Sequence, residues 1–186
     1  MEFYLVRHTR VAVPRGTFYG HTDVELGGNL EEDFNRINRR LPKDGFVIYS
    51  SPSRRCMTLA EKFPETQIVA DKRLMELNFG DWEMKTMEEL QSREFDHWFQ
   101  NFVDVACPNG ESFRELYNRS VAAFDDICKK KQPKNVIIAH GGVVRALLSH
   151  ILEFPLKNAF SLYIAFGSVT KIRIKPQKTE VLYINR

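Results

Sequence analysis

The stretch Phe3–Arg10, FYLVRHTR, decides the fold class, because an apolar run of four residues passes directly into Arg7 and His8. A continuously apolar run is typical of a strand covered on both faces, as in a parallel sheet. The side chains of Arg7 and His8 gain nothing from an apolar core and need polar partners. The stretch therefore predicts a buried β-strand whose carboxyl end carries groups for an anion.

Other segments of the chain repeat this pattern. Similar apolar runs occupy Phe46–Tyr49, Gln67–Ala70 and Val136–Ala139. Helical patterns lie at Leu30–Leu41, Arg55–Phe63, Thr86–Phe99, Ser112–Lys130 and Val143–Leu152. The tail contains strand-like segments at Phe160–Phe166, Val169–Ile174 and Glu180–Ile184. This alternation predicts an α/β fold with a mostly parallel sheet and an antiparallel edge.

The bulk composition is that of an ordinary globular protein. The 186 residues are 43% hydrophobic and 27% charged, and no linker or repeat divides them, so we expect one domain over residues 1–186. The net charge of +3 is small and evenly spread, which argues against a nucleic acid or an anionic membrane as partner. No apolar run approaches the roughly 20 residues of a membrane span, and no signal-peptide pattern follows Met1. We expect a cytoplasmic protein.

The cysteines give no sign of a metal site. Cys56, Cys107 and Cys128 form no ligand-spaced cluster, and their odd number fits a reducing compartment. Packing is the expected role of all three thiols. We therefore expect neither a metal nor a cofactor.

Polar residues follow three of the apolar runs. Arg7 and His8 follow the first, SSPSRR with Arg54 and Arg55 follows the second, and His140 follows the fourth. Because the carboxyl ends of parallel strands meet at one edge of a sheet, these groups are expected to form one cationic pocket.

Two features of these strand ends favour phosphate as the anion. Gly141 and Gly142 precede a helix, so backbone N–H groups at its N-terminus are free to approach a ligand closely. Ser51 and Pro52 are expected at the N-cap and first position of another helix, which projects Arg55 from its first turn. The guanidinium group suits bidentate contact with a phosphoryl group.

Five segments in order, LVRHTR, SSPSRRCMTLAE, LMELNFGDWE, PNGES and VIIAHGG, resemble the histidine phosphatase, or phosphoglycerate mutase-like, superfamily from residue 5 to about residue 145. The resemblance implies a three-layer α/β/α sandwich and a metal-independent phosphatase. It implies that His8 is a nucleophile forming a phosphohistidine. Arg7, Arg55 and His140, helped by Gly141, would bind the phosphoryl group. Glu76 would be the proton donor and is favoured over Glu83.

The sequence also departs from the family pattern after His8. Thr9 and Arg10 stand where the family usually has glycine and glutamate. Together with GTFYGHTDVEL at Gly16–Leu26, this resembles the branch that hydrolyses α-ribazole-5′-phosphate in cobalamin nucleotide-loop assembly. A small-molecule phosphomonoester is thus the expected substrate. Its candidate contacts beyond the phosphate are Tyr19, Gly20, Asp23 and Arg10. Arg10 alternatively pairs with an acidic neighbour.

Several alternatives remain open at this stage. A sugar-phosphate or broad-specificity phosphatase and a phosphoglycerate mutase share the same motifs, although this chain has little room for the insertions of cofactor-dependent mutases. A non-catalytic module that binds phosphorylated ligands would tend to lack His8 or Glu76. The aromatic side chains of HWFQNF, which include Trp98, Phe99 and Phe102, are more typical of core packing than of a cover over an aromatic base.

Overall fold

The computed structural model describes the chain from Met1 to Arg186 and contains one six-stranded sheet. The strands are β1 (Glu2–Arg7), β2 (Phe46–Ser50), β3 (Ile68–Ala70), β4 (Lys134–Ala139), β5 (Val169–Lys175) and β6 (Lys178–Tyr183). Their order across the sheet is β3-β2-β4-β1-β5-β6. The first four pair in parallel, with Arg7 opposite Ala139, and β5 and β6 add an antiparallel edge.

Helices cover both faces of this sheet. They are α1 (Leu30–Asn38), α2 (Arg54–Ala60), α3 (Arg93–Asn101), α4 (Phe113–Lys129) and α5 (Gly141–Leu152). Short 3₁₀ turns lie at Lys72–Leu74, Gly80–Trp82 and Leu156–Ser161. No helix is long and apolar enough to cross a membrane.

Strand β1 shows why the sheet lies between two helical layers. Phe3 and Leu5 belong to the larger core cluster, which includes side chains of α4 and α5. Tyr4 and Val6 belong to the smaller cluster, with side chains of α1 and α2. Successive residues of a strand face opposite sides, so a continuously apolar strand needs cover on both. The α/β/α sandwich predicted from the sequence is confirmed.

The longest helix begins where its sequence provides a cap. The Ser112 hydroxyl accepts a hydrogen bond from the Glu115 N–H at 3.3 Å, and the Glu115 carboxylate accepts one from the Ser112 N–H at 2.7 Å. This reciprocal arrangement satisfies two backbone donors that a helix N-terminus otherwise leaves free. The prediction of a helix over Ser112–Lys130 is right to within one residue at each end.

Two sequence predictions are wrong in detail. The helix predicted over Thr86–Phe99 begins only at Arg93, where the Ser92 hydroxyl caps it by accepting from the Phe95 N–H at 3.1 Å. The segment Phe160–Phe166 is not a strand: it starts within the 3₁₀ turn Leu156–Ser161 and pairs with no strand of the sheet. Arginine side chains satisfy carbonyls of this segment instead, as when Arg145 donates to the Leu162 carbonyl at 2.9 Å.

Candidate active site

The carboxyl ends of β1, β2 and β4 lie side by side and bring two histidines together. The ring centroids of His8 and His140 are 5.1 Å apart, in an edge-to-face arrangement. A cavity of about 290 Å³ opens beside them. Its walls are formed by Arg7, His8, Gly16, Thr17, Phe18, Tyr19, Glu76, Phe79 and Met87. Of the residues predicted to share one pocket, Arg7 and His8 line this cavity, and His140 is buried against His8.

His8 is held as a neutral imidazole with one free ring nitrogen. Its Nδ1 lies 2.7 Å from the carbonyl oxygen of Thr9, so Nδ1–H donates and Nε2 keeps its lone pair. Burial, together with the nearby charges of Arg55 and Arg7, holds the pKa of His8 well below its ordinary value. An unprotonated Nε2 is what a nucleophile requires.

His140 is also neutral and buried. Its Nε2 lies 2.8 Å from the hydroxyl oxygen of Ser51, which in turn lies 3.1 Å from the Ser53 hydroxyl, while Nδ1 has no partner. Burial, and then the proximity of His8 and of the arginines, lowers the pKa of His140 well below its ordinary value. Nδ1 is therefore the ring nitrogen left for a ligand.

Arg55 is buried without a carboxylate partner. It projects from the first turn of α2 and donates to the carbonyl oxygens of Gly20 at 2.6 Å and Thr22 at 3.0 Å. Arg7 donates to the Ile164 carbonyl at 2.5 Å and lies over the Phe166 ring, 3.7 Å from its centroid. Neither guanidinium forms an ion pair with a carboxylate. Two guanidinium groups that lie near His8 and form no ion pair favour an anionic ligand.

Unsatisfied polar atoms concentrate in the same place. The buried side-chain atoms without a hydrogen-bond partner include Arg7 Nε, Arg55 Nε and His140 Nδ1, and Thr17 Oγ1 on the cavity wall. Buried polar atoms are nearly always paired, so orphaned atoms need a specific explanation. A bound oxyanion would provide acceptors for the nitrogen donors.

Glu76 lies on the cavity wall, in the loop that follows the 3₁₀ turn Lys72–Leu74. Its carboxylate accepts hydrogen bonds at 3.0 Å from the Leu77 N–H and from the Gly142 N–H at the start of α5. A Cβ on Gly142 would lie 2.2 Å from Glu76 Oε1, so the close approach requires glycine at this position. A Cβ on Gly141 would lie 3.5 Å from the Arg7 guanidinium carbon. Gly142 thus admits Glu76 to the site, whereas the contact between Gly141 and Arg7 is of ordinary length.

An arginine of α4 holds the backbone of Glu76. Arg119 donates to the carbonyl oxygens of Met75 at 2.6 Å and Glu76 at 2.8 Å, and it pairs with Glu111 at 2.6 Å. Sequence reasoning missed the role of Arg119. The signal available was Glu111 within PNGES, which is part of the motif pattern but carries no information about its partner.

Glu83, the rival candidate for the acid, points elsewhere. Its carboxylate accepts hydrogen bonds from the N–H groups of Gly20, His21, Thr22 and Phe79 at 2.9 to 3.2 Å. Burial raises the pKa of Glu83, but these hydrogen bonds outweigh burial and hold it below its ordinary value. The carbonyls of Gly20 and Thr22 are those that hold Arg55, so Glu83 anchors the loop on which Arg55 depends.

The four candidate contacts beyond the phosphate differ in their distance from the cavity. Tyr19 lines the cavity with its ring 5.3 Å from the Arg55 guanidinium, and burial raises its pKa. Gly20 supports Arg55 through its carbonyl. Asp23 does not line this cavity, since its carboxylate accepts from the Arg54 N–H at 3.0 Å at the start of α2. Arg10 is exposed, does not line this cavity and has no acidic partner.

Two expectations around α2 are wrong. Arg54 does not face the pocket; its side chain is exposed and pairs with Glu25 at 2.8 Å. Ser53, not Ser51, is the N-cap residue, because the chain bends at Pro52 and Ser53 and turns helical only at Arg54. Ser51 is free to contact His140 as a result. Phe18, Phe79 and Met87 of the cavity wall carried no sequence signal for this role.

No group of three or more histidine, cysteine, aspartate or glutamate side chains is arranged to hold a metal ion. The fold and the site define an α/β sandwich with two neutral histidines and two unpaired arginines at the carboxyl ends of its parallel strands. The chain belongs to the histidine phosphatase superfamily (branch 1), whose family profile matches residues 3–186. The resemblance seen in the motifs is confirmed.

Similar proteins carry phosphatase and mutase names. The "Putative phosphoserine phosphatase 2" of Hydrogenobacter thermophilus is 30% identical over 100% of this chain and 95% of its own length. The "Probable phosphoglycerate mutase GpmB" of Shigella boydii is 29% identical over 92% of this chain and 84% of its own. The α-ribazole phosphatase structure from Shigella flexneri superimposes with a TM-score of 0.90 at 20% identity. The superposition covers 100% of this chain and 96% of that structure. The chain is an enzyme of this phosphatase and mutase type.

Proposed function

We propose that the protein hydrolyses small phosphomonoesters through a phosphohistidine at His8. The observation that carries this proposal is the set of unpartnered nitrogens around a neutral His8: Arg7 Nε, Arg55 Nε and His140 Nδ1. These three nitrogens are suited to bind the oxygens of a phosphoryl group. The lone pair of His8 Nε2 is suited to attack its phosphorus in line.

In the first step, His8 Nε2 attacks phosphorus while the bond from phosphorus to the ester oxygen breaks. Glu76, in its protonated form, gives its proton to the departing oxygen and releases the alcohol. Arg7 and Arg55 donate to the phosphoryl oxygens. His140 also donates from Nδ1–H in the tautomer in which Nε2 accepts from the Ser51 hydroxyl, 2.8 Å away.

In the second step, water attacks the phosphohistidine. The bond from water oxygen to phosphorus forms, the bond to His8 Nε2 breaks, and the Glu76 carboxylate takes the proton of the water. Inorganic phosphate leaves, and His8 is again neutral. The balance is one ester and one water giving one alcohol and one phosphate, with no metal or cofactor.

For the substrate, α-ribazole-5′-phosphate is our first candidate. Its support is the resemblance of Arg7–Arg10 and Gly16–Leu26 to that branch, since Gly16–Tyr19 also line the cavity. Phosphoserine is the second candidate, because the relative that is 30% identical over the whole chain bears that name.

Phosphate release from a panel of esters tests both levels of the proposal. The panel contains α-ribazole-5′-phosphate, phosphoserine, sugar phosphates and 3-phosphoglycerate. His8→Ala should lower kcat/KM at least about 1,000-fold on every ester hydrolysed, whereas His97→Ala, at an exposed histidine, should not change it. Radiolabelled phosphate trapped in alkali should map to His8.

Each other outcome has a definite meaning. Formation of 2-phosphoglycerate faster than release of phosphate would make the protein a mutase. Affinity for vanadate without turnover of any ester would make it a binding module. Continued hydrolysis by His8→Ala would rule out the phosphohistidine.

A further inference from the structure

A second cavity, of about 370 Å³, lies next to the catalytic one and is lined only by apolar side chains. We call it the aromatic groove. Its walls are Phe18, Leu77, Phe79, Trp98, Phe99, Phe102 and Phe160. No charged group lines it, so it offers no partner to a carboxylate or an ammonium group. The single polar atom of its side chains is the Trp98 indole nitrogen, which is buried without a partner.

The aromatic groove shares part of its wall with the catalytic cavity. Phe18 and Phe79 line both, and their rings pack edge to face with centroids 5.1 Å apart. Each ring also packs against Trp98, at 6.0 Å and 6.4 Å between centroids. An ester whose phosphate lies at His8 therefore has its organic part next to these two rings.

The outer edge of the groove is exposed to solvent. Phe99 is 55% exposed and Phe160 is 53% exposed, although both belong to a wall of otherwise buried or half-buried rings. Exposed aromatic side chains clustered at a cavity mark a binding surface, whereas isolated ones do not. Because the groove is continuous with the catalytic cavity, we infer that its occupant is part of the substrate.

We propose that the aromatic groove binds an aromatic or large apolar part of the substrate alcohol. Preferred substrates are then phosphomonoesters whose alcohol carries an aromatic ring, and small charged esters such as phosphoserine are poor substrates. This inference rests on the proposed function, which supplies the phosphate site. Burial of one ring in such a groove should raise kcat/KM about 10- to 100-fold.

The test compares phenylalkyl phosphates with chains of one to four carbons against n-propyl phosphate. All are esters of aliphatic alcohols, so the ease with which the alcohol departs varies little. At the best chain length, the wild-type kcat/KM should exceed that for n-propyl phosphate about 10- to 100-fold. The double variant Phe99→Ala/Phe160→Ala should reduce this preference, measured as the ratio of the two kcat/KM values, to about threefold or less.

Tyr163→Ala is the matched control, since this ring is 75% exposed and lines neither cavity. It should leave both rates unchanged. Equal rates on phenylalkyl and n-propyl phosphates in the wild type would overturn the inference and leave the proposed function intact. Hydrolysis of no ester at all would defeat the proposed function itself. A wild-type dimer that the double variant converts to monomer, with an unchanged preference, would assign the groove to a second copy of the chain.

Discussion

The two walls of the catalytic cavity have different origins. One wall consists of Arg7 and His8 at the end of β1, and His140 and Arg55 are buried close to His8. The opposite wall consists of loops, which meet at a bridge between Thr17 and Thr86 and at the Glu83 carboxylate. The strand wall supplies the positive charge, and the loop wall supplies the acid and the shape. The nucleophile and the acid therefore come from separate parts of the chain.

The strand wall also has a stability cost that the loop wall offsets. A buried guanidinium needs acceptors, and those of Arg55 are carbonyls of the loop Gly20–Thr22. That loop is held by Glu83, from a different loop of the chain. The two walls are thus coupled through a single carboxylate that does not face the cavity.

Among the substitutions in or near the cavity walls considered below, Glu76→Gln should have the largest effect on activity. Loss of the proton donor should lower kcat/KM about 100- to 10,000-fold for alkyl phosphates, but only slightly for p-nitrophenyl phosphate, whose leaving group needs no proton. The value of kcat/KM depends only on the steps up to formation of the phosphohistidine. It therefore reports on the step in which Glu76 is the acid. An equal loss on both kinds of ester would show that Glu76 is not the acid.

Acidification should lower the free energy of unfolding of the protein through its two buried histidines. His8 and His140 have pKa values well below 6.5 in the folded protein, so the unfolded chain binds more protons as the pH falls below about 6.5. Above that pH, the two histidines therefore do not lower the free energy of unfolding. It should fall between pH 7.5 and 5.5 by about 1.4 kcal/mol for each histidine.

Urea denaturation at the two pH values measures this loss. The window lies above the range in which most carboxylates titrate; Glu2, for example, has its pKa lowered from 4.5 to about 2. His8→Gln should remove about half of the pH dependence, whereas the exposed His97→Gln should keep it. The same slope in His8→Gln as in the wild type would contradict the prediction.

Replacement of Glu83 by glutamine tests the coupling between the walls. An amide keeps one acceptor oxygen but loses the charge that holds four N–H groups, so Arg55 should lose its fixed position. We expect kcat/KM to fall about tenfold, mainly through KM, together with weaker vanadate binding. Glu88→Gln, at an exposed residue of the same region, is the control. A loss of stability with unchanged KM would make Glu83 purely structural.

Replacement of Arg10 by alanine should have the smallest effect. Its side chain is exposed and does not line the cavity, so kcat/KM on every ester should change less than about twofold. Steady-state kinetics on the best substrate of the panel is sufficient. A fall of tenfold or more would restore Arg10 as a substrate contact.

How far the site was predictable differs between the two walls. His8 and His140 lie within two residues of the end of an apolar run, and a parallel sheet brings such positions together without further information. Glu76 and Glu83 are seven residues apart in one irregular segment, and the sequence favoured Glu76 only through a family resemblance. Arg54 and Arg55 are adjacent, yet the first turn of α2 sends Arg54 to solvent and Arg55 into the interior, against the carbonyls of the loop Gly20–Thr22. The start of that helix, misplaced in the sequence prediction, decides between them.

The sequence alone determined the α/β fold class and the cationic groups at the strand ends, because hydrophobic periodicity and the residues after each strand are local properties of the chain. The three-layer sandwich was implied by the family resemblance. Only the tertiary structure decided which carboxylate faces the cavity, what holds Arg55, and that Phe18 and Phe79 join a catalytic cavity to an aromatic groove. These outcomes depend on contacts between residues that are far apart in the chain. Such contacts are set by the closure of loops against one another, which no local pattern encodes.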